Sequence, residues 1–350
     1  MRVAFYVYPA AFQNPAGGEV QLLKTKEHLE KLGVSVKLFD PWTDKLASFD
    51  ILHTFGSVKD CLPIMRAAHD RGVKNALSTI CWYSLKAAWG NYDNIADRAL
   101  YAIRYMTKVV FPRFPSKRRI MMELSDVLLP NSASEARQVS RLFAVPMSKM
   151  RVVPNGVDGR FLKADRMLFV KKFNVSDFVL CVGRIEPRKN QLTLIRALKK
   201  ETVPLVFIGG CEPQNANYYA DCKREASKNT LFIENLPHDS DLLSAAYAAC
   251  NTFILPSWHE TTGLVGLEAG LAGAKVLMTQ EGATRDYFQD FVSYVDPAFI
   301  SDIRAKTLKS FSADKDDRLR QHIVKNYLWE TVAQKTLEVY QELLKRGDSE

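Results

Sequence analysis

No apolar run in this sequence approaches the roughly 20 residues that a helix needs to cross a bilayer, so no membrane span is expected. Nor does the opening stretch lead one to expect a secretory leader. Met1-Arg2-Val3-Ala4-Phe5-Tyr6-Val7 runs directly into a strand pattern and then polar Gln13 and Asn14, too short and wrongly flanked for a signal peptide. Cysteine is sparse: Cys61, Cys81, Cys181, Cys211, Cys222 and Cys250 show no paired or metal-type spacing and read as reduced, buried thiols of a cytoplasmic protein. The G-x-G-x-x-G fingerprint is missing as well, which argues against a nicotinamide or flavin cofactor. Acid is in deficit, with 39 Asp+Glu against 48 Lys+Arg and a net charge of +9, and that excess calls for an anionic partner. Nucleic acid, anionic lipid and a nucleotide-sugar all qualify by charge. Nucleic acid is set aside because no recognised binding motif appears.

The 350 residues, 47% hydrophobic and 25% charged, describe an ordinary soluble globular composition long enough for two domains with a core each. The order of patterns is strand, helix, strand, repeated in both halves. Val3 to Tyr8 reads as a strand. Gly17-Gly18 then leads into a helix from Glu19 to Leu32, with Val20, Leu23, His28, Leu29 and Leu32 near helical spacing. The glycine pair suits a tight turn or a close approach of backbone to ligand. His53, in the strand Ile51 to Phe55, reads as a packed core residue before it reads as a ligand. Met150 to Pro154 closes the first half, Asn155-Gly156 is a turn signal, and the linker is expected between Asp158 and Val175.

Tyr101 to Met122 is exceptional. Arg104, Lys108, Arg113, Lys117, Arg118 and Arg119 alternate with Tyr105, Met106, Val109, Val110, Phe111, Phe114 and Ile120, without one acid. Such a stretch is either a solvated helix face or a surface for anionic lipid or an acceptor, with Lys117, Arg118 and Arg119 as its cations.

In the second half, Phe178 to Val182 reads as a strand followed by Gly183-Arg184-Ile185-Glu186-Pro187-Arg188-Lys189-Asn190, which clusters three cations beyond a strand's carboxyl end. Guanidinium and ammonium groups there suit a pyrophosphate. Arg188 is assigned to loop solubility. Gly209-Gly210 follows the strand Leu205 to Ile208, consistent with backbone packed near a nucleotide. Asp239-Ser240-Asp241 superficially offers a D-x-D metal site, but it precedes a helix and reads as its cap. Thr252 to Leu255 is a strand, Leu264 to Leu271 a packed helix and Lys275 to Thr279 another strand. The loop before that helix holds Glu260, Thr262 and Gly263, and Glu268 lies about two turns inside it. Backbone N–H groups from Thr262 through Leu264 to Val265 would face an anion at the helix's amino end.

Glu260 and Glu268 with Gly263 between them, together with Val182 to Asn190 and Val153-Pro154-Asn155-Gly156-Val157-Asp158, resemble the motifs of the retaining GT-B glycosyltransferases of family 4, the glycosyltransferase group 1 proteins. The resemblance implies an α/β fold of two Rossmann-like domains facing across a cleft, residues 1–160 for the acceptor and 161–328 for the nucleotide-sugar. A C-terminal helix, about 329–346, would cross back to the first domain. It implies Arg184 and Lys189 on the donor's phosphates, Glu260 on the donor sugar's hydroxyls, Glu268 on the ribose, and Gly17 and Gly18 in a glycine-rich loop facing the cleft. No resident cofactor and no metal are implied; the nucleoside diphosphate sugar is a co-substrate. Ser78-Thr79-Ile80-Cys81-Trp82-Tyr83 departs from the family, which often places a donor-facing histidine there.

The expected activity is therefore retaining sugar transfer to a hydroxyl acceptor, a lipid-linked glycan of surface polysaccharide or lipopolysaccharide assembly, by a cytoplasmic enzyme at the inner membrane face. The competing readings are a nucleotide-sugar-binding or basic membrane-binding module without turnover, and a phosphorylase or epimerase on the same fold.

Overall fold

The computed structural model describes residues 1–13, 17–86, 88, 92 and 94–347. The chain divides into two compact units, one formed by Met1–Tyr83, Ile103–Gly156 and Tyr327–Glu350, the other by Ser84–Ala102 and Val157–Asn326. Each is built on a wholly parallel sheet, the α/β class that the alternating pattern predicts.

The first unit carries five strands, β1 (Arg2–Tyr6), β2 (Ser35–Leu38), β3 (Ile51–Phe55), β4 (Lys74–Ser78) and β5 (Val127–Leu129), in the order β2-β1-β3-β4-β5. Successive side chains of a strand point to opposite faces, and both faces here are covered. Ala4 and Tyr6 of β1 join Leu52, Leu77 and Leu128 under the helices Leu62–His69 and Ala133–Phe143. Val3 and Phe5 join Ile51, Phe55 and Leu129 beneath the helix Gly17–Lys31 and the C-terminal helix Trp329–Gly347.

The helix Gly17–Lys31 differs in detail from its sequence pattern. Leu22 and Leu29 are its buried leucines, whereas Leu23 and Leu32 are 45% and 42% exposed, because polar Glu19, Gln21, Thr25 and His28 share the inner face. Gly17 and Gly18 are its first two residues, and neither takes a positive φ. A Cβ on Gly18 would make only an ordinary contact with Ile80, so the backbone places no demand for glycine there. Gly156 does face such a demand: a Cβ would lie 2.5 Å from the buried Trp329 ring. The Asn-Gly pair is thus a packing seat for the start of the C-terminal helix.

The second unit has β6 (Val179–Val182), β7 (Leu205–Ile208), β8 (Thr230–Ile233), β9 (Thr252–Leu255), β10 (Lys275–Thr279) and β11 (Ser293–Val295), in the order β11-β10-β9-β6-β7-β8. Strands β6, β7 and β9 are buried at every position, as a central parallel strand must be. Ser240 caps the helix Asp241–Ala249 by accepting from the Leu242 N–H. Among the described residues no cluster of three His, Cys, Asp or Glu side chains could hold a metal ion, and no helix is long and apolar enough to cross a membrane.

His53 is enclosed between Tyr340 of the C-terminal helix (Nδ1 to Oη, 2.5 Å) and Ser78 of β4 (Nε2 to Oγ, 2.9 Å). Burial holds its imidazole down at about 3, against an ordinary 6.5. The unfolded chain takes up this proton between those two values and the folded chain does not, so stability present above pH 6.5 is lost as the pH falls towards 3. In urea unfolding, this residue should add up to about 1.4 kcal/mol per pH unit to the acid-side slope. His53→Gln should flatten the slope by that amount while weakening the protein at neutral pH; equal slopes in the two proteins would refute the assignment.

Candidate functional site

In the second sheet, chain order runs outward from β6 through β7 to β8, then returns to the other side of β6 for β9, β10 and β11. Adjacent strands β6 and β9 therefore send their following loops in opposite directions, and the crevice between those loops is where parallel sheets accept ligands. The loop after β6 carries Arg184, Arg188 and Lys189; the loop after β9 carries Glu260, Thr262 and Gly263.

Backbone geometry fixes both loops. Gly183 and Gly209 have φ of +147° and +155°, and a Cβ on Gly209 would fall 2.1 Å from the Gly183 carbonyl oxygen. Direct contact between two main chains thus accounts for Gly209. Asn190 adopts the left-handed conformation (φ +61°) and is buried, its Nδ2 donating to the carbonyls of Pro256 and Pro297 at 3.1 and 2.9 Å. That side chain ties the cationic loop to the end of β9. Across from it, the Glu260 N–H donates to the Glu281 carbonyl and the Ala283 N–H donates to the Glu260 carbonyl. Gly282, at φ +109°, lies so close that a Cβ would sit 1.9 Å from the Glu260 carbonyl oxygen.

The outcome is an ion pair between a largely covered lysine and a buried carboxylate, Lys189 Nζ to Glu260 Oε1 at 2.6 Å. Burial alone would raise the Glu260 carboxyl, but Lys189 and then Arg188 reverse this and hold it down at about 2. Burial pulls the Lys189 ammonium below its ordinary value, offset in part by Glu260. Arg188 bonds Glu186 at 2.9 Å and approaches Glu260 at 3.8 Å, so its loop-solubility reading is corrected: it stands beside the central carboxylate. Arg184 turns instead to Glu212 at 2.9 Å.

Gly263 begins the helix Leu264–Leu271 with φ +74°, where a Cβ would meet the Met278 Cε at 2.4 Å. By helix geometry the N–H groups of Leu264 and Val265 have no acceptor within the helix. Thr262 is buried, its Oγ1 3.4 Å from the Tyr287 hydroxyl.

A family model described as glycosyl transferases group 1 matches residues 168–327. Over those residues, a little under half of the chain, the sequence is similar to the group 1 glycosyltransferases. A D-inositol 3-phosphate glycosyltransferase of Stackebrandtia nassauensis is 27% identical over 62% of this chain and 55% of its own length. The serotype-specific mannosyltransferase WbdA of Escherichia coli is 26% identical over 69% of this chain and 32% of its own. The chain therefore spans less than two thirds of either relative. Among solved structures, that of Anabaena Alr3699/HepE in complex with UDP matches with a TM-score of 0.71 at 16% identity, covering 98% of this chain and 100% of that one. At this identity the likeness is one of fold, two α/β domains of the GT-B type.

Within the matched residues, Glu268 is buried with both oxygens engaged, Oε2 by the Tyr247 hydroxyl at 2.7 Å and Oε1 by His238 Nε2 at 2.9 Å. His238 is itself steadied, its carbonyl accepting from Arg160 and its ring edge-on to Phe161. A carboxylate offers about four lone-pair sites, so Glu268 retains acceptor capacity. Next to Glu260, burial and then Arg188 hold the His259 imidazole down at about 4, and its buried Nδ1 has no partner among the described residues.

Sequence reasoning missed Arg188, Tyr247, His238, His259 and Gly282. Only Gly282 left a signal, a glycine in the loop three residues beyond the strand β10, where backbone often passes close to another segment. In the first unit, Gly17 and Gly18 belong to a helix, and Lys117 is exposed. Arg118 and Arg119 do not present free cations. Arg118 donates to the Ser57 carbonyl at 3.0 Å and to the Tyr83 hydroxyl, while Arg119 pairs with Glu123 at 2.6 Å.

Removing Lys189 alone strands a buried carboxylate. Lys189→Met should cost about 3 kcal/mol of stability in urea unfolding, and adding Glu260→Gln should recover much of it. Additive losses in the double variant would show that the two side chains do not depend on each other.

Proposed function

We propose that the chain transfers a sugar from a nucleoside diphosphate sugar to a hydroxyl acceptor, with retention at the anomeric carbon, and that the second unit holds the donor. The observation that carries this reading is the Lys189–Glu260 pair at the sheet's switch point, ahead of the amino end of the helix Leu264–Leu271.

A departing diphosphate gathers negative charge on oxygen while the sugar ring becomes positive, so the chemistry needs oriented cations and N–H donors more than a strong base. Lys189 supplies one cation within reach of the carboxylate, and Arg184 and Arg188 stand on the same loop. The N–H groups of Leu264 and Val265 add the partial positive charge of a helix start. Glu260, kept ionised by its neighbours, would accept from hydroxyls of the donor sugar, and Glu268 from the ribose. The leaving phosphate would take the acceptor's proton on the same face of the ring, which accounts for retention without a covalent nucleophile. With those groups neutralising the diphosphate, the reaction would run without a bound metal ion or resident cofactor.

For the acceptor we favour a lipid-linked glycan of surface polysaccharide assembly, met at the cytoplasmic face of the membrane. WbdA, similar over part of its length, is a serotype-specific mannosyltransferase, and the basic, apolar stretch from Tyr101 to Met122 suits a lipid-bound substrate.

A thermal-shift panel of UDP, GDP, ADP and dTDP identifies the base, because a ligand bound by the native state alone raises its stability. The matching sugar nucleotides with extracted lipid-linked glycans should then release nucleoside diphosphate without added metal and in the presence of EDTA, with the anomeric configuration of the donor kept in the product. Nucleotide binding without release would instead indicate a binding module. Glu260→Gln should lower kcat/KM by about 30- to 1000-fold, roughly 2–4 kcal/mol of lost transition-state stabilisation. Glu268→Ala should act mainly on the donor KM; a Glu260→Gln enzyme with full activity would end this assignment.

A further inference from the structure

The helix Ile95–Val110 is mounted with its apolar side outward. Ile95, Leu100, Ile103, Met106 and Val110 are 80%, 43%, 63%, 48% and 58% exposed, and they share one side at helical spacing. The turn that follows adds Phe111 and Phe114, both 62% exposed. The inner side is mixed, apolar and polar together. Lys108 is half-buried, its Nζ 4.8 Å from the Phe143 ring centre, and Tyr105 packs against the core beside Val109. A soluble helix normally turns its widest apolar stripe inward.

Arg104, Arg113 and Lys117 border this face, all exposed, and none forms an ion pair among the described residues. No acid occurs between Arg98 and Met122. The geometry points to an anionic lipid surface as the partner of this face, entered by Ile103, Met106, Val110, Phe111 and Phe114 and flanked by Arg104, Arg113 and Lys117. Apolar side chains buried at the headgroup boundary with cations beside them are what holds an interfacial helix on such a membrane. A second copy of the chain fits poorly, because a two-fold contact through this face would bring the same unpaired cations together. The inference assigns a surface and moves the lipid contact away from Arg118 and Arg119, which are engaged within the fold. It stands apart from the transfer reading, since vesicle binding is measured without any donor.

The test is flotation of the full chain with vesicles of phosphatidylcholine alone and of phosphatidylcholine mixed in equal parts with phosphatidylglycerol. The wild type should partition onto the anionic vesicles at least about tenfold better, less so as salt rises. Ile103→Asp/Phe111→Asp and Arg113→Glu/Lys117→Glu should each lose roughly tenfold or more of that binding, with thermal midpoints close to the wild type's. Equal, weak binding of the wild type to both vesicles would overturn the proposal, as would unchanged binding of either variant. A sharp fall in thermal midpoint for Ile103→Asp/Phe111→Asp would show that the face is packed in the fold. A wild-type dimer dissociated by that variant would show that a second copy covers it.

Discussion

A carboxylate withdrawn from water has to be compensated by neighbouring charge or it takes up a proton, and the second unit is arranged around that requirement at Glu260. The ammonium of Lys189 provides the compensation at 2.6 Å, and Arg188 adds to it from 3.8 Å. Both cations sit on a single 3-10 turn, Pro187–Lys189, which is itself held from outside. Asn190, in a left-handed conformation, pulls their loop onto the end of β9, while Gly282 lets the chain pass the Glu260 backbone with no side chain in between. The ion pair is therefore the visible product of backbone contacts made elsewhere. A diphosphate arriving beside Lys189 would compete for the ammonium, and Glu260 would be left with a free acceptor oxygen at the moment a sugar hydroxyl could use it.

This division of labour explains what the sequence reveals. The strands β9 and β10 and the helix between them are legible to the residue, because burial on all sides leaves continuous apolar runs and Gly263 marks a left-handed turn that favours glycine. Lys189 and Glu260 are recognisable from their motifs. Their partners are not. Arg184 and Arg188 have the same chemistry and lie four residues apart, and nothing in their spacing tells which one turns to Glu212 and which one to the side of Glu260. Tyr247 and His238 reach Glu268 from other elements of the unit, and such pairings are decided by tertiary packing that leaves no local pattern.

Polar residues at buried positions obscure the pattern in the first unit for a related reason. The helix Gly17–Lys31 buries Glu19, Gln21, Thr25 and His28 beside Leu22 and Leu29, so Leu23 and Leu32 report the wrong side. His53 reads as a core histidine and is one, yet the partner that matters, Tyr340, lies 287 residues away on the C-terminal helix. Gly156 likewise looks like turn chemistry, while its real constraint is the Trp329 ring.

The helix Ile95–Val110 shows a limit of periodicity itself. An amphipathic pattern establishes that a helix has two unlike sides, and the usual assumption that the apolar side faces inward is a statement about solvent, not about the helix. If the surroundings of one face are hydrocarbon and anionic headgroups, the same hydrophobic effect drives the opposite mounting, with the chain's excess of cations left at the boundary instead of being neutralised within the fold. An acid-free stretch beside exposed Ile103, Met106 and Phe111 is then consistent at every level, whereas the same stretch facing water would leave apolar surface exposed with nothing to offset it. Composition already carried this information in the net charge of +9. It could not say which side of which helix that charge attends, because orientation is fixed by Tyr105, Lys108 and Val109 finding places on the core beneath.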